Sequence, residues 1–438
     1  LIPGLINGHG HGRGLSDFQR GAIDNTLESW LWSTRNYTPI SPYDDIAYSA
    51  ARLMKSGVTT CMHNHLLVNP ADYEREFDES LQAYKDAGIR VQFNPGIRND
   101  NPFVYGDNKK FLSSLPDHLQ RLLTTPPPIG SLNGDNFVKV VSDLHARYDN
   151  PMSKIGFGPL APQWCTKELL VEIRRAADQL GAPIHIHALQ SMFQKIYGLK
   201  SFGKTLIEYM EEIGFLGKGL TIGHCVWPTE SDIELLAKTG TAVTHHPSCN
   251  LRVRNGIAPV AQMLQAGVVV GLGIDGKSIN DDDDMIEEMK QCFLLHRITS
   301  LDLDSPYLTA RQVFNMATEN NSILLGYQGK LGRLEPGRLA DMVLLNYQEM
   351  CHPFVDSSQD PIDTLLYRGI GRHVHTVLIN GNIVVQDGKL QTLDEEMLEK
   401  RLVEQTSRPK TDKEKEFARA NNEVRSHIVN YYKNWLKE

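Results

Sequence analysis

Eight short apolar segments alternate with stretches of helical character between residue 5 and residue 275. The segments occupy residues 5–11, 58–62, 90–94, 154–158, 182–187, 220–224, 242–245 and 268–275. Glycines end five of the preceding helices, at Gly57, Gly88, Gly181, Gly240 and Gly267. Strands that alternate with helices in this way are typical of a parallel (β/α)8 barrel. A doubly wound open sheet is the alternative, but no Gly-rich phosphate loop follows any segment.

Histidine and aspartate side chains occupy the C-terminal ends of several segments. They are His9, His11, His185, His187, His224, His245, His246 and Asp275. In each His-x-His pair, both imidazoles share one face because side chains alternate along a strand. A barrel places its active site at this end of its strands. One divalent metal ion would satisfy these nitrogen and oxygen atoms together, which predicts a site for zinc, or for iron, manganese or cobalt.

Two long insertions follow the first and third segments, at residues 12–39 and 99–128. Both are rich in aromatic and polar residues. Long loops on the catalytic face of a barrel usually carry function, so we expect these insertions to shape a substrate pocket.

The region after the barrel has a different pattern. Residues 334–345 predict a turn followed by a strand, and residues 374–386 predict a hairpin around Asn380-Gly381. The charged tail from residue 394 has one apolar stripe, which predicts a helix that packs on the barrel or on a partner chain. We therefore divide the chain into a barrel (1–333), a small β domain (334–390) and a helical tail (391–438).

Composition narrows the class of protein. The formal net charge is −8, so no basic face is expected for nucleic acid. No apolar run is long enough to span a membrane. The six cysteines are scattered without a Cys-x-x-Cys pair, which is typical of free thiols in a reducing compartment and predicts a cytoplasmic protein. The chain begins at the end of a strand, so we expect that the start of the natural protein is missing.

Several motifs in order resemble the amidohydrolase superfamily. They are Pro-Gly-Leu-Ile-Asn-x-His-x-His, His-x-x-Gln at 187–190, Gly-His-Cys-Val at 223–226, His-Pro-Ser-Cys-Asn-Leu at 246–251 and the aspartate of the eighth segment. The branch most similar to them contains the triazine hydrolases and the guanine, cytosine and S-adenosylhomocysteine deaminases. The resemblance covers roughly residues 3–390. It implies a barrel with a small β-sandwich domain built from both chain ends, and a homodimer or homotetramer.

The resemblance also implies roles for individual residues. The ligands of one metal ion, most readily zinc, would be His9, His11, His187 and Asp275. Asp275 would take the proton of the attacking water, and His224 would orient that water or accept its proton. His185 would then lie behind the ligands or in the core. His63 and His65 form a further His-x-His pair that matches no ligand of the family, so we predict that they bind no metal.

Two departures from the family bear on the substrate. Deaminases of this branch carry glutamate where this chain has Gln190, and glutamine donates a hydrogen bond but cannot act as an acid. The family's substrate-binding histidine is replaced by Leu160. We therefore expect hydrolysis of a C–N, C–S or C–halogen bond in a carbamate, thiocarbamate, urea, thiohydantoin or triazine. A heterocycle aminohydrolase and a non-catalytic scaffold are the alternatives.

Four residues are predicted to contact the substrate. Gln190 belongs to the His-x-x-Gln motif, and Arg98 follows the third segment and could bind a carbonyl or carboxylate group. Trp164 could stack on a flat ring, as could Phe103, although packing in the core is the more usual role for either. Asn280 follows the eighth segment. The acidic run 281–284 beside it is expected to cap the next helix.

Overall fold

The strands of the chain form a closed parallel ring and a separate antiparallel sheet. The structure, a computed structural model, describes residues 1–123, 132, 134–297, 301 and 303–435. The parallel strands are β2 (Leu5–Asn7), β3 (Val58–His65), β4 (Arg90–Ile97), β5 (Ser153–Ile155), β6 (Gly158–Pro159), β7 (Ile184–Ala188), β8 (Leu220–His224), β9 (Ala242–His245) and β10 (Val270–Leu272). The antiparallel strands are β1 (Ile2–Pro3), β11 (Met342–Leu345), β12 (Val374–Ile379), β13 (Asn382–Gln386) and β14 (Lys389–Leu390).

The ring is assembled from two parallel halves. One half has the strand order β2-β3-β4-β5, with β6 also paired to β4, and the other has the order β7-β8-β9-β10. Single parallel bridges join the halves, between Phe157 and Ile184 on one side and between Gly10 and Asp275 on the other. The predicted (β/α)8 barrel is confirmed, with the fourth segment divided into β5 and β6.

Asn321 strengthens the seam between the first and last barrel strands. Its amide nitrogen donates to the carbonyl oxygens of Ile6 at 2.5 Å and Leu272 at 2.7 Å. This approach leaves no room for a side chain at Gly8, where a Cβ would lie 2.4 Å from the Asn321 amide oxygen. Asn321 therefore links the two strands by hydrogen bonds, and Gly8 leaves the space that its side chain occupies.

Helices follow and connect the barrel strands. Those of the first half are α1 (Leu27–Ser33), α2 (Pro42–Lys55), α3 (Tyr73–Ala87), α4 (Asn108–Ser113), α5 (Asp117–Leu123), α6 (Phe137–Tyr148) and α7 (Lys167–Leu180). Those of the second half are α8 (Met192–Phe202), α9 (Leu206–Glu212), α10 (Glu230–Thr239), α11 (Pro247–Arg252), α12 (Val260–Gln265), α13 (Met285–Leu295), α14 (Ala310–Asn315) and α15 (Asn321–Leu324). Asp284 caps α13 by accepting from two backbone amides, as predicted for the acidic run.

Both predicted insertions contain helices that the sequence pattern did not predict. The first carries α1, and the second carries α4 and α5. The end of the second insertion, at residues 124–128, lies outside the described residues.

The small sheet is built from both ends of the chain. Its strand order is β1-β11-β12-β13-β14, and every pairing in it is antiparallel. The resemblance implied a β-sandwich, and the part of it formed by the described residues is this five-stranded sheet. Helices α16 (Tyr347–Cys351) and α17 (Pro361–Arg368) lie between β11 and β12.

The tail consists of two helices that return to the barrel. Helix α18 (Glu395–Thr406) contacts α2, and α19 (Asp412–Trp435) contacts α1 in the first insertion. The buried face of α19 carries Val424, Ile428 and Tyr432. Over the described parts of the chain, the structure contains no helix with the length and apolar character needed to cross a bilayer.

Candidate metal centre

Five predicted site residues converge at the C-terminal ends of the barrel strands. The Asp275 carboxylate lies at their centre. Its Oδ1 is 3.3 Å from His9 Nε2 and 3.2 Å from His11 Nε2, and its Oδ2 is 3.6 Å from His224 Nε2. The His187 ring stacks against the rings of His11 and His224. Segments far apart in sequence therefore deliver these side chains to one point.

Two overlapping groups of potential ligand atoms form this cluster. One contains His9, His11 and His187, and the other contains His9, His224, His246 and Asp275, with the ligand atoms of each group within 4.8 Å of one another. The sequence placed His246 among the strand-end histidines that a metal ion would satisfy but assigned it no individual role. Cys249 was also missed, and its thiol donates to Asp275 Oδ2 at 2.9 Å.

Backbone and amide oxygens orient three of the imidazoles. His11 Nδ1 lies 2.9 Å from the Asn64 carbonyl oxygen, and His187 Nδ1 lies 2.7 Å from that of Leu160. A carbonyl oxygen only accepts, so each Nδ1 carries the hydrogen and each Nε2 keeps a free lone pair. His224 Nδ1 is held in the same way, 3.0 Å from the Asn250 side-chain oxygen. Metal-binding histidines are usually oriented by this kind of bond.

The unpaired atoms of the cluster fit a cation. His9 is fully buried, and neither of its ring nitrogens has a hydrogen-bond partner among the described residues. His224 Nε2 is likewise buried and without a partner in the described parts of the chain. An unpaired buried polar group costs roughly 1–3 kcal/mol, so several at one point favour an ion that would satisfy them.

The protonation states of the cluster also suit a metal ion. Burial lowers the pKa of His9 to about 4, that of His187 to about 3 and that of His224 to about 4. These imidazoles are therefore neutral at pH 7. Burial alone would raise the pKa of Asp275, but the surrounding histidines, first His9, outweigh it and hold that pKa well below its usual value. Neutral imidazole and carboxylate are the forms that bind metals.

Backbone conformation sets two of these residues apart. His224 has φ of 72° and Asp275 has φ of 63°, both in the left-handed region. Residues other than glycine rarely adopt this region, and such positions cluster at functional sites.

A cavity of about 370 Å³ opens above the cluster. Of the predicted substrate contacts, Gln190, Arg98 and Trp164 line it, as does Phe103. Asn280 is not brought to the cavity. It is exposed, and its amide donates to Glu287 on the surface, because Gly276 and Lys277 fill the cavity-facing positions after β10. The expectation of a substrate contact at Asn280 is therefore withdrawn.

The helical tail also reaches the cavity, which the sequence did not suggest. Tyr432 on α19 lines the cavity wall, and its hydroxyl accepts from the Tyr105 backbone amide at 3.0 Å. A helix expected to serve only for packing thus contributes to the pocket.

His63 and His65 line the same cavity but are engaged elsewhere. His63 Nδ1 lies 3.0 Å from the Tyr84 hydroxyl, and His65 Nε2 lies 3.1 Å from a Glu76 carboxylate oxygen. The two rings are joined by a contact of 3.4 Å between His63 Nε2 and His65 Nδ1. Their nitrogens form a chain of contacts and do not point to one centre.

Glu28 is a buried acid that sequence reasoning also missed. It lies on α1 in the cavity wall, and its carboxyl accepts from the Ser191 hydroxyl next to Gln190. Burial raises the pKa of Glu28 to about 7 from an ordinary value of 4.5.

This raised pKa predicts a pH-dependent stability. The folded state binds the Glu28 proton more tightly than the unfolded chain does. The free energy of unfolding should therefore decrease as the pH rises from 4.5 to about 7. Glu28→Gln removes this contribution and should gain on the order of 3 kcal/mol relative to wild type across that window. Urea unfolding of both proteins at pH 5 and pH 8 measures the difference. An equal pH slope in both would show that Glu28 is not responsible.

Solved structures share the fold at low sequence identity. An adenosine deaminase from Xanthomonas campestris with bound zinc matches 92% of this chain and 84% of its own chain, with a TM-score of 0.77 and 22% identity. Atrazine chlorohydrolase from Arthrobacter aurescens complexed with zinc matches 92% and 88%, with a TM-score of 0.77 and 24% identity. These likenesses establish the architecture of a barrel with a small antiparallel sheet.

Sequence comparisons are more specific. A 5'-deoxyadenosine deaminase from Methanothermobacter thermautotrophicus is 31% identical over 90% of this chain and 84% of its own length. A 5-methylthioadenosine/S-adenosylhomocysteine deaminase from Thermococcus kodakarensis is 32% identical over 88% and 82%. The model of the amidohydrolase family matches residues 1–384. With the histidine and aspartate side chains gathered at the barrel mouth, these matches show that the chain belongs to the amidohydrolase family.

Proposed function

We propose that the chain hydrolyses a small, cyclic, nitrogen-containing molecule with the help of one zinc ion. His9, His11, His187 and Asp275 would hold the ion. The observation that carries the proposal is the buried His9 Nε2, which has no hydrogen-bond partner among the described residues and lies 3.3 Å from the Asp275 carboxylate, with the rings of His11 and His187 beside it. His224 and His246 complete the wall around the same carboxylate.

When bound by these residues, a divalent ion would supply a Lewis acid that lowers the pKa of water from 15.7 towards about 7. The residues of the chain then handle the protons. Asp275 can accept a proton from the attacking water at Oδ2, the carboxylate oxygen nearer to His224. His224 Nε2 can accept a hydrogen bond from the attacking water, because its Nδ1 hydrogen is committed to Asn250. Asp275 or His224 then returns the proton to the leaving group.

The cavity supports a small, flat substrate. Its volume of about 370 Å³ lies within the usual range of small-molecule sites. Trp32, Phe103 and Trp164 supply aromatic walls on which a ring could stack. Gln190 can donate a hydrogen bond to a ring nitrogen but cannot protonate it, so a bond with a good leaving group is favoured. Carbamates, thiocarbamates, ureas, thiohydantoins and substituted triazines share this chemistry.

A panel of such compounds tests the proposal. The zinc-loaded protein should release an amine, a thiolate or a halide from at least one class, and the product should carry oxygen from solvent, detected with 18O-water by mass spectrometry. No turnover in any class, with zinc bound at one ion per chain, would contradict it.

A second candidate is a heterocycle aminohydrolase that lacks a glutamate at position 190. The observation that favours it is the similarity to named deaminases at 31% and 32% identity. Ammonia release from 5'-deoxyadenosine, 5-methylthioadenosine and their free bases separates the two candidates. Turnover of these compounds at rates above those of the first panel would favour deamination.

Gln190→Glu tests the role of this cavity residue. An acid at this position can protonate a ring nitrogen, and general acid catalysis contributes roughly 10²–10⁴-fold. We therefore expect the variant to keep its zinc and to deaminate amino-heterocycles at least about tenfold faster than wild type. Gln190→Met, with neither acid nor donor, is the matched control. Loss of zinc in Gln190→Glu would show that the residue lies among the ligands and not beside the substrate.

A further inference from the structure

Two arginines on the cavity wall differ from the other cationic side chains around it. Arg35 follows α1 in the first insertion, and Arg98 follows β4. The remaining arginine and lysine side chains of the lining each face a carboxylate. The pairs are Arg13–Asp17 at 3.1 Å, Arg20–Asp45 at 3.8 Å, Arg252–Asp24 at 2.7 Å and Lys277–Asp283 at 2.6 Å.

Neither Arg35 nor Arg98 has such a partner. Within the described ranges, no carboxylate lies within 4.0 Å of either guanidinium group. Arg35 Nε and Nη1 are buried without a hydrogen-bond partner among the described residues. The Arg35 guanidinium stacks on the Trp32 ring, with 3.6 Å from its central carbon to the ring centroid. Stacking leaves the edge of the guanidinium, where its donors lie, unused.

The pKa values of both guanidinium groups are lowered. Burial and then the charge of Arg98 hold the pKa of Arg35 well below its usual value. Burial lowers the pKa of Arg98 to about 10. Both arginines are partly buried, and such charges are normally paired because an unpaired one carries a desolvation cost. Two cationic side chains on the wall of one cavity, with no counter-ion in the described parts of the chain, are the arrangement expected when the counter-ion arrives with a ligand.

We infer that Arg35 and Arg98 form an anion subsite that receives a carboxylate group of the substrate, while the reacting carbon lies at the cluster around Asp275. The planar fork of each guanidinium matches the two oxygens of a carboxylate. Trp32 contacts Arg35, and the Trp32 and Phe103 ring centroids are 6.4 Å apart, so apolar atoms beside the anion would meet an aromatic surface. This assignment of the substrate as an anionic heterocycle rests on the proposed hydrolytic function, but the anion site itself does not.

Small anions test the site without knowledge of the substrate. Benzoate and inorganic phosphate are titrated calorimetrically into the zinc-loaded protein at constant ionic strength. The proteins compared are wild type, Arg35→Gln, Arg98→Gln, Arg35→Lys and the control Arg311→Gln, which removes an exposed arginine paired with Asp360. We expect Arg35→Gln and Arg98→Gln to bind benzoate at least tenfold more weakly than wild type. Arg311→Gln should match wild type, and Arg35→Lys should be intermediate because it keeps the charge but not the fork.

Thermal unfolding separates this role from a structural one. In buffer without benzoate, Arg35→Gln and Arg98→Gln should unfold at or above the wild-type temperature, since each removes a partly buried charge that has no carboxylate partner among the described residues. The rise in unfolding temperature on adding benzoate should disappear in both variants. A larger rise in unfolding temperature with benzoate than with phosphate supports a carboxylate as the ligand. A larger rise with phosphate would mean that the same site binds a phosphate group.

Two results would overturn the inference. One is that both glutamine variants bind benzoate and phosphate as tightly as wild type does. The other is a fall in unfolding temperature that is equal with and without anion, which indicates a structural role. Zinc content is measured in the same samples, so that a loss of anion binding is not confused with a loss of metal. The test of the anion site therefore remains separate from the test of the proposed function. Anion binding by a protein that hydrolyses nothing would refute the function and leave the subsite standing.

Discussion

Asp275→Asn is expected to lower kcat/KM by about a thousand-fold or more while leaving the barrel folded. The Asp275 carboxylate lies within 3.8 Å of nitrogens on His9, His11, His224 and His246. Asparagine has nearly the same shape but carries no charge and cannot accept a proton from water. The variant would thus lose both a metal ligand and the proton acceptor, and general base catalysis alone contributes roughly 10²–10⁴-fold.

Steady-state kinetics on any substrate identified in the panel measures this effect. Asp178→Asn, which removes a carboxylate from the outer face of α7, is the control and should leave kcat/KM within about threefold of wild type. Circular dichroism establishes that both variants are folded. Activity of Asp275→Asn within tenfold of wild type would show that the carboxylate neither binds the ion nor moves the proton.

Removal of the metal should have the second largest effect, on stability as well as on activity. Without an ion, the buried His9 Nε2 and His224 Nε2 have no hydrogen-bond partner in the described parts of the chain. An ion at a thousand times its dissociation constant stabilises the folded state by about 4 kcal/mol. We therefore expect chelation to abolish turnover and to lower Tm by several degrees.

Differential scanning calorimetry before and after dialysis against a chelator measures the shift. Zinc added back should restore both Tm and activity. His375→Ala should respond as wild type does, since His375 is exposed in the small sheet and pairs with Asp387. An unchanged Tm after removal of all metal would mean that the histidines satisfy one another without an ion.

Much of the fold was predictable because two local signals agreed. Apolar segments marked the strands, and glycines ended the helices before them. Gly57, Gly88 and Gly181 all have positive φ, between 65° and 89°. Because all strands of a parallel barrel point the same way, polar residues at their ends must meet on one face. The convergence of His9, His187 and Asp275 follows from that geometry.

The choice between neighbouring residues could not be made from the sequence. His245 and His246 are adjacent at the end of β9, so their side chains point in different directions. His246 Nδ1 lies 3.8 Å from Asp275, whereas His245 Nε2 lies 3.0 Å from His296 on the far side. Only the register of the strand decides which histidine lies next to Asp275.

The pocket wall was less predictable because its residues come from elements without a catalytic motif. Tyr432 reaches the cavity from a helix near the end of the described chain, and Glu28 reaches it from a helix inside an insertion. The isolation of Arg35 and Arg98 from carboxylates is a property of tertiary structure. A sequence gives the charge of a side chain but not the distance to its partner.

Anomalous X-ray diffraction above and below the zinc edge tests the central claim most directly. A single ion should appear about 2.0–2.2 Å from ligand atoms of His9, His11, His187 and Asp275. An ion bound instead among His245, Cys292 and His296, the other such buried group found within the described residues, would contradict the account. So would zinc-loaded crystals with no anomalous peak at Asp275.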